Sequence, residues 1–419
     1  MGISIGLIGT GTIGSGVVRI LARNSGLIEK RTGIRLSLKK VCDLNLENAR
    51  SLGLRDEQLT KDYMDIIDDK DIDVVIELIG GYEPARTIIL KALQSRKHVV
   101  TANKAVIAKH GKEIFSEAQR NDVSIAFEAA VGGCIPVIKM IRESYVADNI
   151  KDIYGILNGT TNYILTGMEK GVSYNEVLKK AQEKGFAEAD PGFDVEGKDT
   201  AQKLSILSSL AFNADTGDAV FTEGITKIDK NDIQYADELG YKIKLLAIAK
   251  HENDEIELRV HPTMIPKQHE LANAKDELNA VYVVGENTTK SMLYGKGAGQ
   301  LPTATVVIGD VLDIARGKKQ GFYLKQIKTK DINKVKSRYY LRYNVVDRPG
   351  VLAKISRILG DNNISIAAVQ QKEVNKEVVP VIVITHEAAE EDVMRSIEEV
   401  DKLDVVRKGS IVIRIEDIG

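Results

Sequence analysis

The stretch from Gly185 to Lys203, Gly-Phe-Ala-Glu-Ala-Asp-Pro-Gly-Phe-Asp-Val-Glu-Gly-Lys-Asp-Thr-Ala-Gln-Lys, sets a string of carboxylates ahead of a lysine. Asp-Pro-Gly ends any regular element, because Pro191 restricts Asp190 and Gly192 permits a turn. After Gly197 the spacing of Leu204, Ile206 and Leu207 turns helical, so Asp199 and Lys203 stand four residues apart on one helix face. Most pairs of this kind are solvated surface pairs. Here the dense acids, the turn chemistry and the apolar run after Lys203 point to a site at a helix start. A lysine brought toward neutrality by burial or by a second cation exchanges a proton near operating pH.

A second constellation lies at the N-terminus. The apolar strand Ile3 to Ile8 runs into Gly9-Thr10-Gly11-Thr12-Ile13-Gly14, and Val17, Val18, Ile20 and Leu21 follow with helical spacing. Gly-x-Gly-x-x-Gly between strand and helix is a dinucleotide-binding turn, with the pyrophosphate at the helix N-terminus. Strand patterns at Leu36–Cys42, Val74–Ile79, His98–Thr101 and Ser124–Glu128 alternate with helical patterns, which predicts a parallel, doubly wound Rossmann-type sheet. Asp43 ends the second strand, where a carboxylate bonds the adenosine ribose and disfavours a 2′-phosphate; the plainer reading is a turn or cap aspartate.

The acidic segment is similar to the signature of homoserine dehydrogenases at Glu188, Asp190, Pro191, Asp194, Gly197, Asp199 and Lys203. The resemblance implies that Glu188, Asp194 and Asp199 hold the amino acid substrate, that Lys203 handles the proton, and that Gly185 approaches the cofactor. It extends to Thr101-Ala102-Asn103-Lys104-Ala105, whose lysine lies near nicotinamide and substrate, so that Lys104 joins Lys203 and Asp199 as the catalytic set. In Glu128-Ala-Ala-Val-Gly-Gly-Cys-Ile-Pro136 it implies a monovalent cation, Na+, held by the Glu128 carboxylate and the carbonyls of Val131, Gly133 and Ile135. Around Asn158-Gly-Thr-Thr-Asn162 it implies that the Thr160 hydroxyl and the amides near Gly159 meet the substrate carboxylate. The Tyr294–Ala304 segment resembles the family's glycine-rich turn, which implies that Gly297 and Gly299 approach nicotinamide; Lys296 stands where the family usually has proline. Many members carry a basic residue just after the position of Asp43 and take NADP. None directly follows it here, so the cofactor is NAD or NADP with a lean to NAD.

The C-terminal part changes pattern. Lys325 to Arg338 is lysine-rich and poor in apolar residues, a solvated linker. From Tyr339 the order reads strand, helix, strand, strand, helix, strand, a ferredoxin-like βαββαβ module. Asp347-Arg348-Pro349-Gly350-Val351-Leu352 entering the first helix, with Asn363 and Ile364 after it, resembles the ACT amino acid-binding domain. The resemblance implies an effector site there, with threonine as effector and inhibitor, and a chain ending near Arg338 would stay active without the response. The alternative is a dimerisation module without ligand.

The expected organisation is therefore 1–130 plus a return helix within 303–323 for the nucleotide, 131–302 as an α+β substrate and dimerisation domain, 324–338 as linker, and 339–419 as ACT. At 419 residues the chain has room for two to three domains. Its formal charge of −2 points to no nucleic acid. No apolar run reaches membrane length and no targeting segment is visible, so no membrane partner and a cytoplasmic location are expected. Cys42 and Cys134 read as two buried thiols, and six histidines without ligand spacing give no zinc site. A homodimer or homotetramer is expected. Two alternatives stand beside a homoserine dehydrogenase: another Rossmann amino acid dehydrogenase, and a sensor that binds NAD(P) and an amino acid without turnover.

Overall fold

A computed structural model of the chain describes residues 2–217, 219–318, 321–371 and 377–418. It divides into two compact units, Met1–Gly159 with Gln202–Val220 and Leu278–Ile327, and Thr160–Ala201 with Phe221–Glu277 and Lys328–Gly419.

The first unit is built on a six-stranded parallel sheet in the order Leu59–Thr60, Arg35–Cys42, Gly2–Ile8, Val74–Glu77, His98–Thr101, Ile125–Ala126. The uninterrupted apolar runs suit strands covered on both faces, and Val74, Val75, Ile76 and Glu77 expose no surface. The strand order reverses beside Gly2–Ile8, which creates a crevice at the carboxyl edge. Ile8 is in register with Cys42 and with Glu77, and Glu77 with Thr101. The next residues along these strands, Gly9, Asp43, Leu78 and Ala102, therefore leave the sheet at one edge. Helices Thr12–Thr32 and Gln300–Ala315 share a core with the sheet through Leu7, Val17, Val307 and Val311. The expected strand Ser124–Glu128 is cut to Ile125–Ala126, because the chain enters a 3-10 turn at Glu128–Ala130. A second, antiparallel sheet pairs Leu278–Gly285 with Ile150–Ile156 and with Thr289–Lys296.

In the second unit, the long strands Tyr241–Glu252 and Glu255–Pro266 form an antiparallel pair. Lys336–Val346, Val351–Asp361, Ile366–Gln371, Val378–Thr385, Glu390–Asp401 and Ile411–Ile415 give the expected βαββαβ order, with a short extra strand at Ala388–Ala389. Their sheet runs Ile411–Ile415, Lys336–Val346, Val378–Thr385, Ile366–Gln371. Period-2 alternation turns Tyr339, Leu341, Tyr343 and Val345 to the helices, which return Val351, Ile355, Leu359, Val393, Ile397 and Val400.

Two features depart from the sequence reading. The lysine-rich linker holds a strand, Lys328–Thr329, paired parallel to Glu255–Pro266, because two backbone registers suffice where side chains can stay solvated. The ferredoxin-like sheet is also not a separate body: Ile411–Ile415 pairs with Glu255–Pro266 at Thr263 and Met264. Cys42 and Cys134 are free, Cys42 buried and Cys134 half-buried, so only one thiol has the expected burial. Burial, reinforced by Asp43, pushes the Cys42 thiol up to about 11. No helix among the described residues is long and apolar enough to cross a membrane.

Candidate active site

At the edge of the parallel sheet, Gly9 takes φ +98°, and its N–H donates to the Cys42 carbonyl at 2.9 Å. A Cβ on Gly14 would lie 2.0 Å from the Gly9 carbonyl oxygen, so helix and strand meet with no space for a side chain. Gly11, by contrast, faces open space. The turn thus fits a pyrophosphate: its middle glycine is bare, Thr10, Ile13 and Gly14 continue the backbone, and the helix from Thr12 has no acid in its first turn. Asp43 Oδ2 accepts from the Thr10 N–H at 2.6 Å and the Thr10 hydroxyl at 2.7 Å, and Oδ1 from the Asn45 N–H. Burial alone would raise this carboxyl, but the hydrogen bonds from Thr10, Asn45 and Leu44 outweigh it and hold Asp43 below its usual range. Asp43 is a turn aspartate and an anion at the carboxyl edge of the sheet, and Leu44 beside it is 84% exposed.

Farther along the edge, Glu77 is fully buried. It accepts from the Thr101 hydroxyl at 2.7 Å and from the Ile79 N–H. Burial raises its pKa against those bonds. Asn103 caps the helix Lys104–Arg120 through Val106 and donates to the Gly81 carbonyl. Lys104 therefore sits on a helix start whose entry is held from three sides. Sequence reasoning missed Glu77 and Asn103. A carboxylate closing the apolar run Val-Val-Ile-Glu was the available signal, since a charge in a strand buried on both faces needs a partner.

Lys203 belongs to helix Lys198–Phe212. Its Nζ donates to the Leu157 carbonyl at 2.7 Å, and Asn279 Nδ2 donates to the same oxygen at 2.9 Å. Asn279 Oδ1 is buried without a partner among the described residues. A Cβ on Gly297 would lie 2.2 Å from that side chain, which explains the glycine-rich turn. Neighbouring Gln202 donates to the Tyr82 hydroxyl, and Tyr82 packs edge-on to His110 of the helix that Lys104 begins. Gly299, at φ +133°, precedes Gln300–Ala315. Asn279 and the Leu157 carbonyl had no signature in the sequence.

Glu128 is buried and accepts from the Ile138 and Lys139 N–H groups, each at 2.8 Å. Its own N–H donates to Asp310 Oδ2. Burial, with Asp310 adding, pushes Glu128 up to about 8, and burial takes Asp310 to about 7. Lys139 lies 2.6 Å from Asp313 and 3.4 Å from Asp310. Arg316 and Lys318 also lie 3.6 and 3.5 Å from Asp313, so the excess of buried negative charge sits at Glu128 and Asp310, which suits a small cation. Among the flanking carbonyls, Ile135 already accepts from the Val137 N–H. Those of Val131 and Gly133 have no hydrogen bond among the described residues.

In the second unit, the helix Gly159–Met168 opens with Thr160, whose hydroxyl donates to the Phe186 carbonyl at 2.6 Å. In this arrangement the hydroxyl proton is engaged by that carbonyl. Gly185 and Glu188 are exposed, Asp194 is half-buried and Asp199 is buried. Asp194 lies in the short helix Gly192–Val195, entered through an Asp190 turn. In the ferredoxin-like module Gly350 has φ +85° and begins Val351–Asp361. Asp347 accepts from Gln371, and Asn363 is left-handed. Val351 and Ile364 are core residues, so only their backbone can meet a ligand, whereas Leu352 is exposed.

A parallel sheet in this order, with the glycine turn at its switch point, defines a dinucleotide-binding protein. Family models agree in detail. Residues 9–128 match the homoserine dehydrogenase NAD-binding domain, 136–312 match homoserine dehydrogenase, and 339–402 match the ACT domain. Homoserine dehydrogenase of Neisseria gonorrhoeae is 42% identical over 431 residues, covering 99% of each chain. That of Bacillus subtilis is 40% identical over 431 residues, covering 100% of this chain and 99% of the relative. The crystal structure of a homoserine dehydrogenase from Thiobacillus denitrificans superposes with a TM-score of 0.94 at 44% identity, covering 100% of this chain and 99% of that one. The chain belongs to the homoserine dehydrogenase family.

Proposed function

We propose that this homoserine dehydrogenase passes the alcohol proton of L-homoserine to Lys203, with Lys104 as the second cation of the site. The observation that carries the reading is the Lys203 Nζ held on the Leu157 carbonyl, an oxygen that Asn279 also holds. This sets the position of the nitrogen that a substrate oxygen would meet. When bound, NAD(P) supplies or accepts the hydride at the carbon that is alcohol in homoserine and aldehyde in aspartate 4-semialdehyde. The amides at the start of Gly159–Met168 receive the amino acid carboxylate, and Glu188, Asp194 and Asp199 receive its ammonium. In the oxidative direction Lys203 takes the hydroxyl proton; in the reductive direction it returns that proton to the new alkoxide.

Three finer readings belong with this one. NAD is favoured over NADP, supported by the Asp43 anion and the uncharged Leu44 beside it. Sodium is held at Glu128, supported by the two buried acids and the open carbonyls of Val131 and Gly133. Threonine binds the ACT turn at Asp347, Pro349 and Gly350 and inhibits, supported by the backbone amides at the start of Val351–Asp361. The enzyme is a homodimer or homotetramer, which light scattering on the purified protein decides.

One assay tests these readings together. Homoserine oxidation is followed with NAD and with NADP, in sodium or choline chloride at equal ionic strength, with and without threonine. The expected result is turnover with homoserine, a higher kcat/KM with NAD, greater activity in sodium, and inhibition by threonine. No turnover with either cofactor would leave a sensor that binds both ligands. A preference for NADP, indifference to sodium, or indifference to threonine would each remove the corresponding finer reading.

A further inference from the structure

The ACT module ends in the strand Ile411–Ile415, and its Arg414 is 2% exposed. Nε donates to Glu390 at 2.8 Å, and Nη2 completes a fork on the same carboxylate. Glu390 is the module's own residue, held also by the Tyr339 hydroxyl. The remaining nitrogen, Nη1, leaves the module and donates to Glu223 Oε2 at 2.6 Å. The guanidinium also lies over the Phe221 ring, 5.1 Å from its centroid.

Glu223 follows the two-residue strand Phe221–Thr222, which pairs with Arg259 and Val260. The Glu223 N–H donates to the Val260 carbonyl at 2.8 Å. Two residues on, the Ile225 N–H donates to the Val195 carbonyl at 2.8 Å. Between them Gly224 is pressed on the same turn: a Cβ there would lie 2.2 Å from the Val195 oxygen and 2.5 Å from the Glu196 Cα. Val195 and Glu196 follow Asp194 directly and lie, with Gly197 and Lys198, between it and Asp199. The segment Phe221–Ile225 is thus clamped on one side by Arg414 and lies, with no room to spare, on the backbone that carries both carboxylates.

We propose that Arg414 is a positioning residue for the substrate-binding turn: through Glu223 it holds Phe221–Ile225 against Val195–Glu196, and so sets where Asp194 and Asp199 stand. A buried guanidinium shared by two carboxylates has few alternative arrangements, and its bidentate hold on Glu390 makes the ACT module the fixed end. The proposal rests on the reading of Asp194 and Asp199 as substrate residues. It adds that this turn is completed by the last strand of the ACT module.

The test is steady-state kinetics on Glu223→Ala, Glu223→Gln and Asp199→Asn in the full chain. The Glu223 side chain is 41% exposed, so its replacement leaves the core intact. Glu223→Ala is expected to raise the homoserine KM about tenfold, as misplacement of a binding group does, with the cofactor KM unchanged within about twofold. Glu223→Gln keeps an acceptor for Arg414 and is expected to restore the homoserine KM to within about threefold of the parent. A homoserine KM unchanged in Glu223→Ala, or an equal rise in the KM of both substrates, overturns the proposal. Asp199→Asn separates the two readings. If it impairs homoserine kinetics while Glu223→Ala does not, the positioning role alone is wrong; if Asp199→Asn is itself harmless, the assignment of the substrate carboxylates is wrong.

Discussion

Lys203→Ala is expected to lower kcat for homoserine oxidation by about 10²-fold or more, because a positioned acid–base group contributes about 10²–10⁴-fold. The Lys203 amine donates to the Leu157 carbonyl, which Asn279 also holds. Removing the amine leaves that oxygen with the Asn279 donor, so the fold at this point keeps its hydrogen bond. The cofactor turn is built from Gly9 to Gly14 and Asp43 and does not involve the lysine. Cofactor affinity should therefore be nearly unchanged, and the loss should fall on kcat, the pattern of an interaction made chiefly in the transition state. Lys203→Arg should not rescue, since a guanidinium does not release its proton in this range. Stopped-flow or steady-state assays with fluorescence titration of the cofactor make the comparison. A folded Lys203→Ala enzyme with near-normal kcat would take this residue out of the mechanism.

A chain ending at Arg338 is expected to lose the second unit rather than to remain an unregulated enzyme. The sequence suggested the opposite, since the ACT module looked like a separate body behind a solvated linker. Asp232 is fully buried in helix Lys230–Glu238 and takes hydrogen bonds from Arg342 at 2.6 Å and from the Tyr340 hydroxyl at 3.1 Å. Arg259, 1% exposed, is paired with Glu257 and with Glu416 at 2.6 Å. Truncation removes Arg342, Tyr340, Arg414 and Glu416 together. It also strips the Ile411–Ile415 strand from Glu255–Pro266. Leaving one buried charge without its partner costs about 3–5 kcal/mol, and two such losses rival the whole stability of an ordinary domain, about 5–15 kcal/mol. Circular dichroism and limited proteolysis of the shortened chain check this. A soluble, protease-resistant and active product would show that these charges find water when the module is gone.

The elements that repeat a simple period were legible from the residues alone. Alternation from Tyr339 to Val346 and the helical spacing of Val351, Ile355 and Leu359 fall where the strand and the helix form. Apolar runs such as Val74–Ile76 marked parallel strands, although their ends were overestimated: Val74–Ile79 stops at Glu77 because the chain turns at the sheet edge. The glycine turn and Asp43 were legible because each answers a local demand, close approach of backbone in one case and a strand-end carboxylate in the other. Partners that come from far along the chain left no mark. Leu157 contributes only a carbonyl, and any residue could supply that atom.

By itself the sequence determined the periodicities, the turns and the chemical inventory: which carboxylates, which lysines and which bare backbone stand next to one another along the chain. Those are short-range properties, set by sterics at one or a few residues. Only the tertiary structure decided what faces what. Arg342 reads as the polar side of an alternating strand, yet it is 5% exposed, because Asp232 and Asp229 cover it. Arg414 reads as another outward residue and is buried between Glu390 and Glu223. The same two-residue period holds in a solvated sheet and in one covered on both sides. Whether a charge meets water or an opposite charge depends on which elements pack over it, and that is fixed by long-range burial rather than by local preference.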